Sequence, residues 1–449
     1  MRTILSLFSL LLPISAMAPA AQAAEPDCRY DVLLRADMHL VTEVRCRPEV
    51  DGFTVVNAAT DLYMTYDLEE HAEVTVGRYD IDLAAFVRGE NSADSAAGTA
   101  RSVLATGGSW LLRPLGIGDA ELAVTLRAEP GVAIATGLRK VDGAHRLRSS
   151  DLPYAGFTAF GRFERRLIRE KRTGGGEGTI ESVILEGDLA VGRDVLNAWI
   201  DDSLRAGLEF WRGLPAENLL LAILPRPHRG GVPFGRVMSG GGVTMVVYVG
   251  GGADQKALDD DWVFLHEMIH IGTPFSRTGM WFAEGQATYF EPLIRVRWGR
   301  QTEQQMWQEF VTRMPRSARL IEASGLANSG WGDMYYGGAI LMLLADVEAR
   351  RLSGGRTGLE DCFRGLQLEE GNASRRIRLH ALIAACDKVL GAPIMRRVTD
   401  RYAFAANDPA LDALWRKLGV VWNGVTVTLN DDAEWAWIRR ALIRGASEG

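Results

Sequence analysis

Apolar residues recur along this chain with two different periods. From about residue 29 to 190 they form short runs with the two-residue alternation of strands, among them YDVLLRADMHLVTEVRC, GFTVVNAA, AEVTVGRYDIDL, ELAVTLRA and TIESVILEGDL, parted by Gly, Asp, Asn and Pro. That pattern predicts an antiparallel β domain without long helices. The segment KRTGGGEG, 171–178, reads as a hairpin loop between FTAFGRFERRLIRE and TIESVILEG. Beyond 190 the spacing changes to three and four in DVLNAWIDDSLRAGLEFWRGL, which predicts a helix. The runs NLLLAILP and VTMVVYVG then predict two strands, bounded by the glycine-rich stretches 239–242 and 250–252. After 256 the pattern is mostly helical to the end, and no internal repeat appears. The expected fold class is α+β: an N-terminal β domain over 24–155, a mixed α/β centre over 156–310 and a helical C-terminal region over 311–449.

Length and composition agree with several domains and a large core: 449 residues, 47% hydrophobic and 24% charged. The formal charge of -7 is spread, and no basic stripe interleaved with aromatics appears, which argues against nucleic acid and anionic membrane surfaces as partners. The first 23 residues read as a signal peptide: Arg2, an apolar run from Ile4 to about Ala18, and Ala21-Gln22-Ala23 as a small-x-small cleavage pattern. No other apolar run reaches the roughly 18 residues of a membrane span, so no stable membrane insertion is expected after cleavage. Cys28 is preceded by Glu-Pro-Asp, unlike a lipoprotein signal. A periplasmic or secreted location follows. The four cysteines fall into sequence-local pairs, Cys28 with Cys46 and Cys362 with Cys386, and export favours disulfides. The lack of a CxxC spacing speaks against metal ligation by these thiols.

The chemistry concentrates in ALDDDWVFLHEMIHIG, whose spacing is helical and whose start is acidic, where a helix dipole favours negative charge. It holds two of the seven histidines, His266 and His270, four residues apart. On a helix these lie on one face and can reach one ion, while Glu267 turns aside towards a water there. A catalytic zinc needs a third protein ligand. Fourteen residues after His270, behind the irregular loop IGTPFSRTGM, Glu284 lies in WFAEGQATYFEP.

HExxH followed by W-x-x-E-G-x-A-x-Y, carried here by Trp281, Glu284, Gly285, Ala287 and Tyr289, resembles the gluzincin metallopeptidases, in particular the alanyl and glycyl aminopeptidase families. The resemblance implies a thermolysin-like catalytic domain at 156–310, with Glu284 as third ligand and one zinc per chain. It extends to DMYYGGAILMLLADVEARRLSGGRTGLEDCF, similar to the Y-x-K-G-A segment of glycyl aminopeptidases, which places Tyr335 where a tyrosine stabilises the oxyanion. Gly337 stands where those families have lysine, and Tyr336 is the alternative if the register is off by one; either tyrosine could instead pack a core. Two departures stand out. The interval from His270 to Glu284 is shorter than in those families, so the connecting loop must be tighter. The edge strand FGRVMSGGGVTMVVYVG lacks the glutamate that grips a substrate amine there, since 231–253 holds no acidic residue before Asp254. Ser239–Gly242 either lets an extended substrate pair with the strand or is a flexible loop.

The implied activity is that of an exported zinc metallopeptidase, in which a zinc-activated water attacks a peptide bond, Glu267 serves as base and then acid, and Tyr335 donates to the oxyanion. A peptide or protein is the expected substrate; neither exo- nor endopeptidase action nor an oligomeric state is specified. Glu291, seven residues past Glu284, reads as a solvent-facing residue or as a partner of a ligand histidine. A binding protein on a peptidase fold, or a zinc hydrolase of another substrate, is the rival class.

Overall fold

The computed structural model of the protein describes residues 25–71 and 74–445. The segment read as a signal peptide lies outside them. The N-terminal part is sheet-rich, the C-terminal part helical, and a mixed sheet with helices joins them.

A seven-stranded sheet runs in the order Lys140–Val141, Ala144–Arg148, Glu121–Ala128, Cys28–Leu34, His39–Cys46, Val74–Asp82, Met64–His71. Alternate residues of Cys28–Leu34 are buried, as the sequence period requires for a strand with one face on a core. The sheet differs from the antiparallel expectation at one place: Glu121–Ala128 pairs parallel to Cys28–Leu34. The long intervening chain returns to the strand's open edge, a route that residue alternation does not encode. Four more strands, Ala133–Thr136, Phe157–Gly161, Ser102–Thr106 and Ala96–Thr99, form a second sheet.

The third sheet, of five strands, carries the site. Its order is Phe163–Lys171, Glu177–Leu185, Asn218–Arg226, Val243–Gly250, Phe234–Met238, the first two joined as the hairpin that the Gly-rich loop predicts. Asn218–Arg226 pairs parallel with both its neighbours and is buried on both faces. Leu219, Leu221 and Ile223 pack with Leu196, Trp199 and Ile200 of the helix Arg193–Trp211. Leu220, Ala222 and Leu224 meet Leu104, Phe157 and Ala159 of the four-stranded sheet. The unbroken apolar run NLLLAILP is the sequence trace of this two-sided burial.

The helices from Met280 onward enclose the largest core, in which Trp281, Phe282, Trp307, Phe310 and Phe363 pack together. Cys28 and Cys46 are cross-strand neighbours and form one disulfide; Cys362 and Cys386 form the other, between the helices Leu359–Glu370 and Leu379–Leu390. No helix among the described residues is long and apolar enough to cross a membrane.

Candidate metal and catalytic site

The acidic stretch before the histidines is not one continuous helix. A short helix, Gln255–Asp259, ends before Asp261, whose carboxylate accepts the amides of Val263 at 2.8 Å and Phe264 at 3.1 Å. That cap starts a separate helix, Val263–Ile271. The helix is anchored by Trp211, whose indole N–H donates to the Met268 carbonyl at 3.0 Å and whose ring packs where Gly272 has no side chain.

The chain then turns within 272–279, and this loop is held by the Phe275 amide donating to the Arg375 carbonyl at 2.8 Å. A buried bond of 2.7 Å between Thr273 Oγ1 and Gln286 Oε1 ties the loop to the helix Met280–Arg297. The short interval after His270 is accommodated in this way, and Glu284 on that helix comes back to the histidines. His266 Nε2 lies 3.2 Å and His270 Nε2 3.5 Å from Glu284 Oε2. One donor atom from each of His266, His270 and Glu284 falls within 4.8 Å of the others. Two imidazole nitrogens and one carboxylate, mostly buried and leaving a side open to a cavity, are a donor set that fits zinc with an exchangeable position.

Charge in this cluster is strongly coupled. Burial alone would raise the Glu284 carboxyl, but the imidazoles of His270 and His266 hold it far below the usual carboxylate range. Burial would lower His270, yet Glu284 and Glu267 raise it. Glu267 shifts opposite to Glu284: burial raises its pKa despite the two histidines.

Glu267 lines the cavity beside the histidines rather than joining the three-donor cluster. The backbone of Val237 hydrogen-bonds its carboxylate, and at Gly235 a Cβ would lie 2.5 Å from its Cγ. The edge strand Phe234–Met238 therefore presses on the histidine helix at this residue, which sequence reading did not find; the only trace is the glycine. Among the described residues the strand pairs on one side only, with Val243–Gly250.

Tyr335, at the start of the helix Met334–Ser353, also lines the cavity, its ring 6.0 Å from that of His266. Tyr336 does not line it: its hydroxyl donates to Glu309 at 2.6 Å. Glu291 is neither solvent-facing nor joined to a histidine by any hydrogen bond in this cluster. It is buried, pairs with Arg295 at 3.2 Å, and burial pushes its carboxyl well above the usual range.

The glycines 240–242 serve the protein's own chain. Gly240 donates to the Tyr154 carbonyl at 2.7 Å, Arg139 donates to the Gly241 carbonyl at 2.9 Å, and a Cβ on Gly242 would lie 1.9 Å from the Gly137 carbonyl oxygen. They are not a loose loop, because they seat the N-terminal sheets against the central one, while Ser239 and Gly240 also line the cavity. The cavity measures about 600 Å³ and draws on all three parts of the chain, with Tyr154 from the first, His266 and Phe275 from the second and Arg376 from the third.

No family model and no curated protein matches the chain. Among solved structures it is similar to an aminopeptidase N family protein from Idiomarina loihiensis, with 13% identity and a TM-score of 0.62 over 88% of this chain and 78% of that one. It is also similar to an M1 zinc metallopeptidase from Deinococcus radiodurans, with 13% identity and a TM-score of 0.49 over 84% and 92% of the two chains. The fold is shared with the first of these.

Proposed function

Starting from that shared fold, we propose that the protein is a zinc metallopeptidase. The observation that carries this reading is the convergence of His266, His270 and Glu284 beside Glu267 in one cavity. These three side chains would hold one zinc per chain, which when bound supplies a Lewis acid and lowers the pKa of water. Glu267, aimed by the Val237 backbone and confined by burial, accepts the proton from the attacking water and passes it to the leaving amine. Tyr335 donates its hydroxyl to the oxyanion that forms on the former carbonyl. The edge strand Phe234–Met238, paired on one side, aligns an extended peptide by strand addition. The central sheet and the helices after it act as a thermolysin-like catalytic domain, with the boundaries 156–310 of the sequence reading. Two disulfides fit export to the periplasm or the medium.

Apart from Glu267 and Glu284, which belong to the metal site, the carboxylate that lines the cavity among the described residues is Asp94, and it is paired with Arg236, so amino-blocked peptides are cleaved at least as well as free ones. Elemental analysis of the mature protein tests the metal, and cleavage of both peptide classes with and without chelator tests the reaction. H270A and E284A lose most of the zinc. E267Q retains zinc and loses activity, and Y335F retains zinc while turnover drops about a hundredfold. Wild-type protein with a full complement of zinc that cleaves neither class is not a peptidase.

A further inference from the structure

Away from the histidine cluster the cavity carries three charged side chains that hydrolysis itself does not use: Asp94, Arg236 and Arg376. Asp94 is engaged by Arg236 at 2.5 Å. Arg376 is placed differently. Its backbone forms a parallel bridge with Phe275, five residues after His270, with the Ile377 amide donating to the Phe275 carbonyl at 3.0 Å. The Ser239 hydroxyl donates to the Ala373 carbonyl at 2.7 Å, which closes the same segment onto the end of the edge strand. The guanidinium lies over the Tyr154 ring, 4.3 Å from its centroid, while Nη1 donates to the Ser150 carbonyl at 3.3 Å and Nη2 pairs with Asp151 at 3.1 Å.

These contacts fix the plane of the fork, and the side chain is still 39% exposed. An arginine has five N–H donors, so donors remain for a ligand. Asp151 offsets part of the charge, but its carboxylate also accepts the Arg148 amide and it does not line the cavity. A stacked, already oriented guanidinium loses little freedom on binding and matches a carboxylate in two-point geometry.

We infer that Arg376 is a specificity-determining residue that binds a carboxylate side chain of the substrate, so that the site selects acidic peptides over neutral ones of the same shape. The inference rests on the peptide-hydrolysis reading for the nature of the ligand, and its test is a binding ratio that does not need turnover. Amino-acetylated peptide pairs carrying Glu or Gln at one position, scanned along the sequence, are titrated by calorimetry into zinc-loaded mature E267Q protein, with cleavage by wild type followed in parallel. At the best position the Glu peptide binds about tenfold more tightly than its Gln partner, the worth of one charge-assisted contact. Adding R376Q brings the ratio below about twofold, and R376K, which keeps the charge without the fork, gives a value between. Should the R376Q protein not fold, the drop in ratio for R376K decides.

A ratio near one in the parent at every position, or a preference that survives in R376Q and R376K, overturns the inference. If wild type cleaves Glu and Gln peptides equally and binds them equally, Arg376 has no such role and the peptidase reading stands. If wild type with zinc cleaves no peptide, the peptidase reading falls, and the binding ratio still decides the role of Arg376.

Discussion

Asp261 shows at the scale of one residue how a cap and a pH dependence arise together. Its carboxylate caps the histidine helix, but burial outweighs the two amides and the more distant Arg300 and Arg295, and its pKa rises to about 6 from 3.8. The folded state therefore holds this proton more tightly than the unfolded chain. For a carboxyl raised in this way, its contribution to stability is greatest below pH 4 and falls as the pH climbs towards 6. The shift corresponds to about 3 kcal/mol. Urea melts of wild type and D261N between pH 4 and 7 check this: wild type weakens relative to D261N across that interval, and a constant difference would refute the assignment. The neighbouring residues mark what sequence resolves at this scale. The HExxH spacing already put His266 and His270 on one face, because a helix has a fixed period. It did not decide between Tyr335 and Tyr336, which differ by about 100° around the helix, and only packing turned the first to the cavity and the second to Glu309. Glu291 was legible as a neighbour of Glu284 on one face, but not as buried, since almost every face of Met280–Arg297 up to Ile294 is covered by other helices.

At the scale of elements, the relative placement of Glu284 and Tyr335 depends on how closely two helices cross. Gly285 of the glutamate helix meets Gly338 of the tyrosine helix: a Cβ on Gly338 would lie 2.1 Å from the Trp281 carbonyl oxygen and 2.6 Å from the Gly285 Cα. Both obstacles are backbone, so neither can rotate away. The Tyr289 hydroxyl then pins the same pair by donating to Asp346 at 2.8 Å. Gly338→Ala forces the helices apart and destabilises the protein by about 1–3 kcal/mol, as other overpacked contacts do. It also lowers kcat/KM at temperatures where the variant is fully folded, because Tyr335 and Glu284 ride on the two displaced helices. Calorimetric melting together with peptide hydrolysis measures both, and a melt unchanged within about 0.5 kcal/mol would show that the crossing relaxes. The W-x-x-E-G-x-A-x-Y pattern carried Gly285 and Tyr289, but Gly338 gains its meaning only from the helix it faces.

At the scale of the whole molecule, the cavity is a junction of three parts of the chain, and the Cys362–Cys386 disulfide governs one wall of it. The bridge joins the two helices that flank Ala373 and Arg376, closing a loop of 24 residues. Restricting a loop of that size in the unfolded chain contributes about 3 kcal/mol. C362A/C386A is accordingly less stable by about that amount in denaturant melts, and a loss below about 1 kcal/mol would mean the helices hold each other without the bridge. The sequence by itself determined what local periodicity and local spacing encode: the strand-rich first half, the helix Arg193–Trp211, the strands NLLLAILP and VTMVVYVG of the central sheet, the HExxH face, and the pairing of cysteines close in sequence. The tertiary structure alone decided the parallel pairing of Glu121–Ala128 with Cys28–Leu34, the use of Gly240–Gly242 as seats for the N-terminal sheets, and the arrival of Tyr154 and Arg376 at the cavity that holds His266. Each of these joins segments far apart in the chain. Such contacts depend on which surfaces remain to be buried once local elements exist, and no residue period records that.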